Sequence, residues 1–244
     1  MQYLDYERMA GIDAESFRNT VPFPWISIQR ILTDAAFARL CATLPRVEQF
    51  ERQSGREGGY GDLYALQYRP NLDLAEPWRE FTGQLCGEQY QHFLRSLIGL
   101  PARERIELTM HWHFGPRGFS LSPHVDARRK IASHIFYFNT EADWDPHWGG
   151  QTAVLADTAG FLRKKHPQFG DLREIAAPEI LGNRSLLFQR TEQSWHGVRP
   201  LAYPEGKLRK VFIVVVNRVT LQVRWRHLRG KDADGYELRV PLVA

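Results

Sequence analysis

At about Ile106 the pattern of the chain changes, and that change narrows the range of folds more than anything else in the sequence. From there on, short runs rich in β-branched and aromatic residues alternate with glycine, proline, asparagine and aspartate. The runs are IELTMHWHF, KIASHIFYFN, QTAVLA, RSLLFQ and KVFIVVVNRVTLQVRW. Several short strands at close spacing, each bounded by turn residues, are typical of a β-sandwich or a β-barrel. The sequence therefore predicts a mainly β core over residues 106–226, with its final strand continuing to about Arg226.

The residues before this core predict mainly helices. The segment PFPWISI has the pattern of a strand that leads into the fold. Thr33 is a good N-cap for a helix whose apolar residues recur every three or four positions. A second helix is predicted to begin at Pro77, since proline is favoured in the first turn, and to break near Gly87. We therefore expect residues 1–105 to form a mainly helical support packed on one sheet of the core.

The remaining segments fit into one domain of residues 1–244. A length of 244 residues is ordinary for a single β-rich domain. Residues 157–178 are polar and basic, and we interpret them as a partly helical insertion between strands. Residues 227–244 are interpreted as a C-terminal extension, with a turn at Lys231–Gly235 and a last strand YELRVPLV.

Composition indicates which classes of binding partner and which cellular compartment to expect for this chain. Apolar residues make up 43% of the chain and charged residues 25%, the balance of a soluble globular protein. A formal net charge of +4 is too small to indicate a nucleic-acid-binding protein. No apolar run is long enough to cross a membrane, and the N-terminus lacks the apolar segment of a secretory signal. We interpret Cys41 and Cys86 as reduced thiols and expect a cytoplasmic location.

A histidine and an acid two residues apart form the motif that carries chemistry. In an extended segment, residues two apart point to the same side, so His124 and Asp126 can bind one metal ion together. His196, which follows the apolar run RSLLF, is the candidate third ligand. Two histidines and one carboxylate on one face of Fe(II) leave open positions for other ligands, as in non-haem iron oxygenases. The sequence therefore predicts an iron site made by these three residues.

Two further histidines lie on the strand before this motif. His111 and His113 flank Trp112, so both can point into a barrel. One interpretation is a second metal site. The interpretation we favour is that one of them lines the co-substrate pocket or forms a hydrogen bond in the core.

Four segments resemble the prolyl-hydroxylase-like branch of the Fe(II)/2-oxoglutarate-dependent oxygenase superfamily. They are SPHVD, HIFYFNTEADWDPHWGGQTAVL, NRSLLFQRTEQSWHGVRP and RKVFIVVV, within residues 106–218. The resemblance implies a double-stranded β-helix (jelly-roll) core with helices packed on one sheet, and iron ligands at His124, Asp126 and His196. It also implies a dioxygenase that uses Fe(II), 2-oxoglutarate and O₂, with ascorbate as a candidate reductant, and that releases succinate and CO₂.

The same resemblance implies a basic residue that binds the distal carboxylate of 2-oxoglutarate, at the start of the strand after the second histidine. A guanidinium suits this role because it can form two parallel hydrogen bonds with a carboxylate. Aligning RKVFIVVV with the family's strand favours Arg209, with Lys207 and Lys210 as alternatives because the loop after His196 is longer than the family's. Tyr137, in IFYFN, falls where the family often places a tyrosine hydroxyl against the same carboxylate.

The substrate is less constrained than the iron site. The glycine-rich segment 115–122 is interpreted as a mobile lip, in which Arg117 and Phe119 are candidate substrate contacts, as is Arg128 beyond the iron ligands. Halogenating relatives carry a small residue in place of the acid, so Asp126 indicates hydroxylation. We expect a hydroxylase that acts on an unactivated C–H bond of a small molecule, a glycan or a natural-product intermediate.

Two alternative functions remain open on the sequence. The first is a protein or peptide hydroxylase, which would need an open groove beside the iron. The second is a cupin-like metal-binding protein without oxygenase activity, which would not need a basic residue on the last strand.

Overall fold

Two antiparallel sheets and six helices make up the part of the chain that the computed structural model describes, residues 1–55, 61–158 and 167–235. The helices are α1 (Tyr6–Ala10), α2 (Ala14–Asn19), α3 (Asp34–Ala42), α4 (Glu76–Cys86), α5 (Glu88–Ile98) and α6 (Leu221–Leu228). The strands are β1 (Trp25–Gln29), β2 (Glu51–Gln53), β3 (Leu63–Gln67), β4 (Ile106–Gly115), β5 (Leu121–His124), β6 (Lys130–Tyr137), β7 (Ala153–Ala156), β8 (Arg173–Ala176), β9 (Arg184–Gln189), β10 (Trp195–Val198) and β11 (Arg209–Arg218).

The larger sheet has seven strands in the order β1-β9-β6-β11-β4-β3-β2, and the smaller sheet has four in the order β5-β10-β7-β8. The long strand β11 lies at the centre of the larger sheet, where it pairs along its length with β4 and β6. Six of the nine pairs of neighbouring strands are not consecutive in sequence, which is typical of a jelly roll. The predicted mainly β fold with supporting helices is confirmed.

Side chains of the central strands point alternately to the two faces of the larger sheet, and this divides the core into two layers. On the outer face of the larger sheet, Trp112, Phe136 and Phe212 pack against α4. The ring centroids of Trp78 and Trp112 are 5.1 Å apart, and those of Phe81 and Phe136 are 5.6 Å apart. Because successive side chains of a strand point to opposite faces, the residues between these aromatics must face the smaller sheet. The predicted packing of the N-terminal helices on one sheet is therefore confirmed.

The inner face of the larger sheet packs against the smaller sheet. Ile135, Tyr137 and Val211 of the larger sheet form one buried cluster with Val154 and Val198 of the smaller sheet. The space between the two sheets is the interior in which the candidate site lies.

The helix cap, helix start and helix break that were predicted in the first hundred residues are confirmed. The Thr33 hydroxyl accepts a hydrogen bond from the backbone N–H of Ala36 and so caps α3. Pro77 lies in the first turn of α4, and Gly87 separates α4 from α5. The segment PFPWISI ends in β1, which forms an edge of the larger sheet.

Two predicted boundaries are wrong. The final strand of the core ends at Arg218 and does not continue to about Arg226, because the Thr220 hydroxyl accepts a hydrogen bond from Val223 and begins α6. The segment 157–178 is not wholly an insertion, since residues 173–176 form β8 and pair with β7. The predicted last strand YELRVPLV lies outside the described residues, as does part of the predicted insertion, residues 159–166.

The two cysteines occur in α3 and α4 and are both free. Cys41 is half-buried, and Cys86 is exposed. In the described ranges, every helix is too short or too polar to span a lipid bilayer.

Candidate active site

The predicted iron ligands come together at one end of the smaller sheet. His124 is the last residue of β5 and lies directly opposite His196 of β10 in the strand register. Their ring centroids are 4.3 Å apart. One ligand atom from each of His124, Asp126 and His196 lies within 4.8 Å of the other two. In the described part of the chain, no other group of three such side chains could hold a metal ion.

Backbone carbonyls fix the orientation of both imidazoles. Nδ1 of His124 donates to the carbonyl of Ser122 at 3.0 Å, and Nδ1 of His196 donates to the carbonyl of Ser194 at 2.9 Å. Each ring therefore keeps its proton on Nδ1 and leaves the lone pair of Nε2 available to a metal. Burial lowers the pKa of His124 and lowers that of His196 to about 3, so both rings are neutral at physiological pH.

The carboxylate of Asp126 is held by two neighbours on β6. Lys130 Nζ donates to one carboxylate oxygen at 2.7 Å, and Ser133 Oγ donates to the other at 3.0 Å. Burial by itself would raise the pKa of Asp126, but the positive charge of Lys130 and its hydrogen bond to the carboxylate outweigh burial and hold the pKa well below its usual value. Two neutral imidazoles and one ionised carboxylate are the protonation states that metal binding requires, so the three residues fit Fe(II).

Arg209 lies in the same interior and is only 4% exposed. Its Nε donates to the carbonyl of Gly150 at 2.6 Å, and one terminal nitrogen donates to the hydroxyl of Thr152 at 3.2 Å. Both partners are uncharged, and no carboxylate of the described residues pairs with this guanidinium. Burying a cation without a counter-ion is costly, so the pocket is suited to an anion.

Tyr137 and Thr152 complete this anion pocket. The Tyr137 hydroxyl donates to the Thr152 hydroxyl at 3.0 Å, and the centre of the Arg209 guanidinium lies 5.5 Å from the centroid of the tyrosine ring. Burial raises the pKa of Tyr137, so its hydroxyl keeps its proton. With both oxygen lone pairs of Thr152 accepting hydrogen bonds, its own O–H is free to donate to a bound carboxylate.

The two alternative cations lie elsewhere. Lys210 points to the opposite face of β11, where its ammonium pairs with Asp143. Lys207 precedes β11 in a turn and is half-buried. Of the three candidates, only Arg209 is buried among the residues of the interior.

The candidate substrate contacts are spread out. Arg128 is 88% exposed in its side chain and lies 3.7 Å from Glu192 at the rim. Arg117 is exposed in the loop before β5. Phe119 is buried, with its ring centroid 6.0 Å from the centre of the Arg209 guanidinium, so the structure places it in the wall of the anion pocket.

Several residues of the site were missed at the sequence level. The role of Lys130 rests on a local pair, since it lies four residues after Asp126. Ser133 and Thr152 carry no motif, because their contacts depend on how β6 and β7 pair with other strands. The alternation of β6 gives one usable signal, since Ser133 and Tyr137 lie on the same face.

Comparison with known proteins identifies the family. A family model described as the 2OG-Fe(II) oxygenase superfamily matches residues 108–216. No curated protein sequence matches the chain at a significant level.

Solved structures show the same fold at low sequence identity. A Pseudomonas putida prolyl-4-hydroxylase is 20% identical, with a TM-score of 0.58 over 85% of this chain and 99% of the other. A 2OG-Fe(II) oxygenase-family oxidoreductase from Burkholderia pseudomallei is 18% identical, with a TM-score of 0.52 over 86% and 91%. The α-ketoglutarate-dependent epimerase SnoN of nogalamycin biosynthesis is 14% identical, with a TM-score of 0.55 over 88% and 84%.

The matched residues 108–216 contain all three candidate iron ligands and Arg209. The superfamily predicted from the sequence is confirmed, and with it Fe(II) and 2-oxoglutarate as the cofactor and co-substrate. The match over residues 108–216 therefore supports a 2OG-Fe(II) dioxygenase, and the fold of the chain is shared with a prolyl-4-hydroxylase.

Proposed function

We propose that this chain hydroxylates an unactivated C–H bond of a small molecule, a glycan or a natural-product intermediate. In this proposal His124, Asp126 and His196 bind Fe(II), and Arg209 with Tyr137 binds the distal carboxylate of 2-oxoglutarate. The chain acts as one domain, and its two free cysteines suit the reducing cytoplasm that we propose as its location.

The observation that carries the proposal is the presence of a buried, unpaired guanidinium in the same interior as the metal-binding triad. A metal-binding protein without oxygenase activity has no need for Arg209, whose burial without a counter-ion is unfavourable. A dicarboxylate explains both features, because one end can reach the metal while the other neutralises Arg209. The buried guanidinium therefore favours the oxygenase over the cupin-like alternative.

The protein's part in the reaction is to bind, orient and shield. The carbonyl of Gly150 and the hydroxyl of Thr152 hold the Arg209 guanidinium so that its remaining N–H groups can meet a carboxylate. Lys130 and Ser133 hold the carboxylate of Asp126. When bound, iron and 2-oxoglutarate supply the oxidation of a C–H bond by O₂, with release of succinate and CO₂. The surrounding apolar side chains exclude water from this chemistry.

A protein or peptide hydroxylase is the second candidate. The likeness of fold to the Pseudomonas putida prolyl-4-hydroxylase supports it. Both candidates share the iron site and the co-substrate pocket, so they differ only in what lies beside the iron.

The proposal is tested by 2-oxoglutarate turnover. Purified protein with Fe(II), O₂, ascorbate and 2-oxoglutarate should release succinate slowly even without substrate, and N-oxalylglycine should inhibit this release competitively. His124→Ala and Asp126→Ala should abolish it. His147→Ala is the matched control, because this histidine is 94% exposed and lies outside the site. Metal binding without any succinate release would instead support the cupin-like alternative.

A further inference from the structure

The helix α6 exposes large apolar side chains to solvent. Six large apolar side chains of the described residues are exposed, and three of them, Leu221, Trp225 and Leu228, belong to this one helix. Their exposed fractions are 82%, 53% and 86%. Single exposed apolar residues are ordinary, whereas a contiguous group of them marks a surface that binds a partner or a membrane. This group is therefore a candidate docking surface outside the active site.

The three side chains share one face of α6, which we call the apolar face. At about 100° per residue, positions 221, 225 and 228 lie within about 60° of one another around the helix axis. Val223 lies on the opposite side of the helix and is fully buried. Hence α6 is amphipathic in an unusual sense, since it has one apolar side in the protein and another in solvent.

Contacts on the buried side hold α6 in place. The Thr220 hydroxyl accepts a hydrogen bond from the first turn. Nε2 of His227 lies 2.7 Å from a carboxylate oxygen of Glu107, and the guanidinium of Arg226 donates to the carbonyl of Ala233. None of these contacts involves the apolar face. The helix therefore does not depend on that face for its position, and substitutions there should leave the fold intact.

Two cations lie at the edges of the apolar face. Arg224 and Arg229 are exposed, and helical spacing places one on each side of it. The centre of the Arg229 guanidinium lies 3.6 Å from the centroid of a Trp225 ring, so its charge stays beside the apolar side chains. No carboxylate of the described residues forms an ion pair with either guanidinium, and α6 itself contains no acid. The surface is therefore apolar in the middle and positive at both edges.

An anionic lipid bilayer matches this pattern better than a second copy of the chain or another protein. Two such faces packed together would bring four arginines close to one another, which is unfavourable. Three side chains over two helical turns also offer much less area than the roughly 800 Å² that each partner contributes to a stable protein interface. Binding to a bilayer needs no such area, because burial of apolar side chains adds to the attraction of arginines for anionic headgroups. Tryptophan is favoured at that boundary as well.

The helix is attached on the active-site side of the larger sheet. Glu107 and Thr109 of β4 alternate with residues that pack in the outer core cluster, so they point to the inner face. His227 of α6 contacts Glu107, and Asp234 of the following turn contacts Thr109 and Arg129. The N-terminal helices, in contrast, pack on the outer face. Substitutions on those helices therefore serve as distant controls for substitutions on α6.

We propose that the apolar face of α6 docks this protein on an anionic lipid bilayer. Leu221, Trp225 and Leu228 enter the boundary between headgroups and acyl chains, while Arg224 and Arg229 bind the lipid phosphates. This contact is peripheral, since every helix of the described residues is unable to span a bilayer. Docking goes beyond the proposed function, because it assigns a place of action and does not depend on the reaction.

The test is co-sedimentation of the full chain with lipid vesicles. Vesicles of phosphatidylcholine and phosphatidylserine in equal parts should bind the protein about tenfold more tightly than vesicles of phosphatidylcholine alone, because only the former attract the two arginines. Added salt should weaken binding to the anionic vesicles, since it screens exposed charges. Absence of binding to both kinds of vesicle, or equal binding to both, would overturn the proposal.

A double variant tests the apolar contribution. Leu221→Gln with Leu228→Gln should weaken binding to the anionic vesicles at least about tenfold, because two apolar side chains no longer leave water. The variant should still release succinate from 2-oxoglutarate as wild type does, which shows that it is folded. Val21→Gln is the matched control, because it removes a 76% exposed apolar side chain elsewhere and should bind as wild type does. Equal vesicle binding by the double variant and wild type would rule out the assigned face.

A second double variant tests the charges. Arg224→Glu with Arg229→Glu should abolish the preference for anionic vesicles. Arg8→Glu with Arg39→Glu, on α1 and α3, changes the net charge of the chain by the same amount and should keep the preference within about threefold of wild type. Loss of the preference in both variants would show that net charge drives binding, and the role of α6 would be wrong.

The contact itself can be observed through Trp225, the only exposed tryptophan of the seven in the chain. Anionic vesicles with brominated acyl chains should quench part of the tryptophan fluorescence of wild type. Trp225→Phe should still bind, because phenylalanine is also apolar, but should lose this quenching. Equal quenching in both proteins would mean that another surface enters the bilayer.

Sedimentation velocity without lipid distinguishes a second copy as the occupant. The full chain should sediment as a monomer at the concentrations used for vesicle binding. A dimer that is lost in Leu221→Gln with Leu228→Gln would assign the apolar face to contact between copies, and docking on lipid would then be wrong.

Discussion

Replacing Arg209 with methionine should separate the stability of the fold from its affinity for the co-substrate. Methionine fills much of the same buried space but removes the charge and the donors to Gly150 and Thr152. The loss of a donor to the buried carbonyl costs about 1–3 kcal/mol. Removing a buried cation that lacks a counter-ion stabilises the fold by a similar free energy and offsets this cost. We therefore expect the free energy of unfolding of the metal-free protein to change by less than about 2 kcal/mol.

The affinity for 2-oxoglutarate should change far more. Two charge-assisted hydrogen bonds, each contributing about 1.5–3 kcal/mol, correspond to a loss of roughly 10²- to 10⁴-fold in affinity. Isothermal titration of 2-oxoglutarate into Zn(II)-loaded protein measures this loss, and thermal unfolding measures stability. Lys207→Met and Lys210→Met are controls that should bind 2-oxoglutarate within about twofold of wild type, although Lys210→Met also loses its ion pair with Asp143. An Arg209→Met protein that binds 2-oxoglutarate within threefold of wild type would refute the reasoning.

Three other perturbations have defined outcomes. Lys130→Met removes a hydrogen bond to the carboxylate of Asp126 and should weaken Mn(II) binding about tenfold by titration; unchanged or tighter binding would show that Lys130 does not position this ligand. Burial lowers the pKa of His134 to about 3, so the unfolded chain binds more protons between about pH 3 and 6.5, and stability is lost as pH falls through that window by about 1.4 kcal/mol per pH unit. Urea unfolding of His134→Gln should show a smaller loss of the free energy of unfolding as pH falls. Equal losses in the variant and the wild type would contradict this prediction. Gly150→Ala should weaken 2-oxoglutarate binding, because φ is +95° and a Cβ atom would lie only 3.1 Å from Cδ1 of Ile180 and 3.2 Å from the ring of Trp144. The backbone must then shift, and with it the Gly150 carbonyl that accepts from Arg209. Gly182→Ala is the control, because φ is +74° there but the space around it is open, so it should strain the backbone without weakening 2-oxoglutarate binding. Equal affinities for 2-oxoglutarate in the two variants would contradict this prediction.

Features that depend on residues close together in sequence could be predicted, whereas features that depend on contacts between distant residues could not. The cap at Thr33 and the break at Gly87 depend on a few adjacent residues, and both were predicted. The segment VTLQVRW fits strand and helix periodicities alike, and the Thr220 hydroxyl decides in favour of α6. The strand β8 was missed because it lies at the edge of its sheet and three of its four residues are exposed, which removes the apolar alternation.

Within the candidate site, too, local features were predictable and contacts between distant strands were not. The spacing of His124 and Asp126 is a local signal, whereas the place of His196 beside them follows from the pairing of β10 with β5. The family's strand pattern indicated Arg209 before any contact was known. The hydroxyl of Thr152, in contrast, becomes part of the site only when β7 brings it within reach of the guanidinium, and no residue near it in sequence signals this.

The proposed oxygenase activity requires that His124, Asp126 and His196 bind one metal ion together. A crystal structure of the protein grown without oxygen, with Mn(II) in place of iron and with 2-oxoglutarate, tests it directly through anomalous scattering from the metal. We predict one peak per chain, bonded to Nε2 of both histidines and to the Asp126 carboxylate, with the distal carboxylate of 2-oxoglutarate against Arg209. A metal bound elsewhere, or imidazoles that coordinate through Nδ1, would contradict the account.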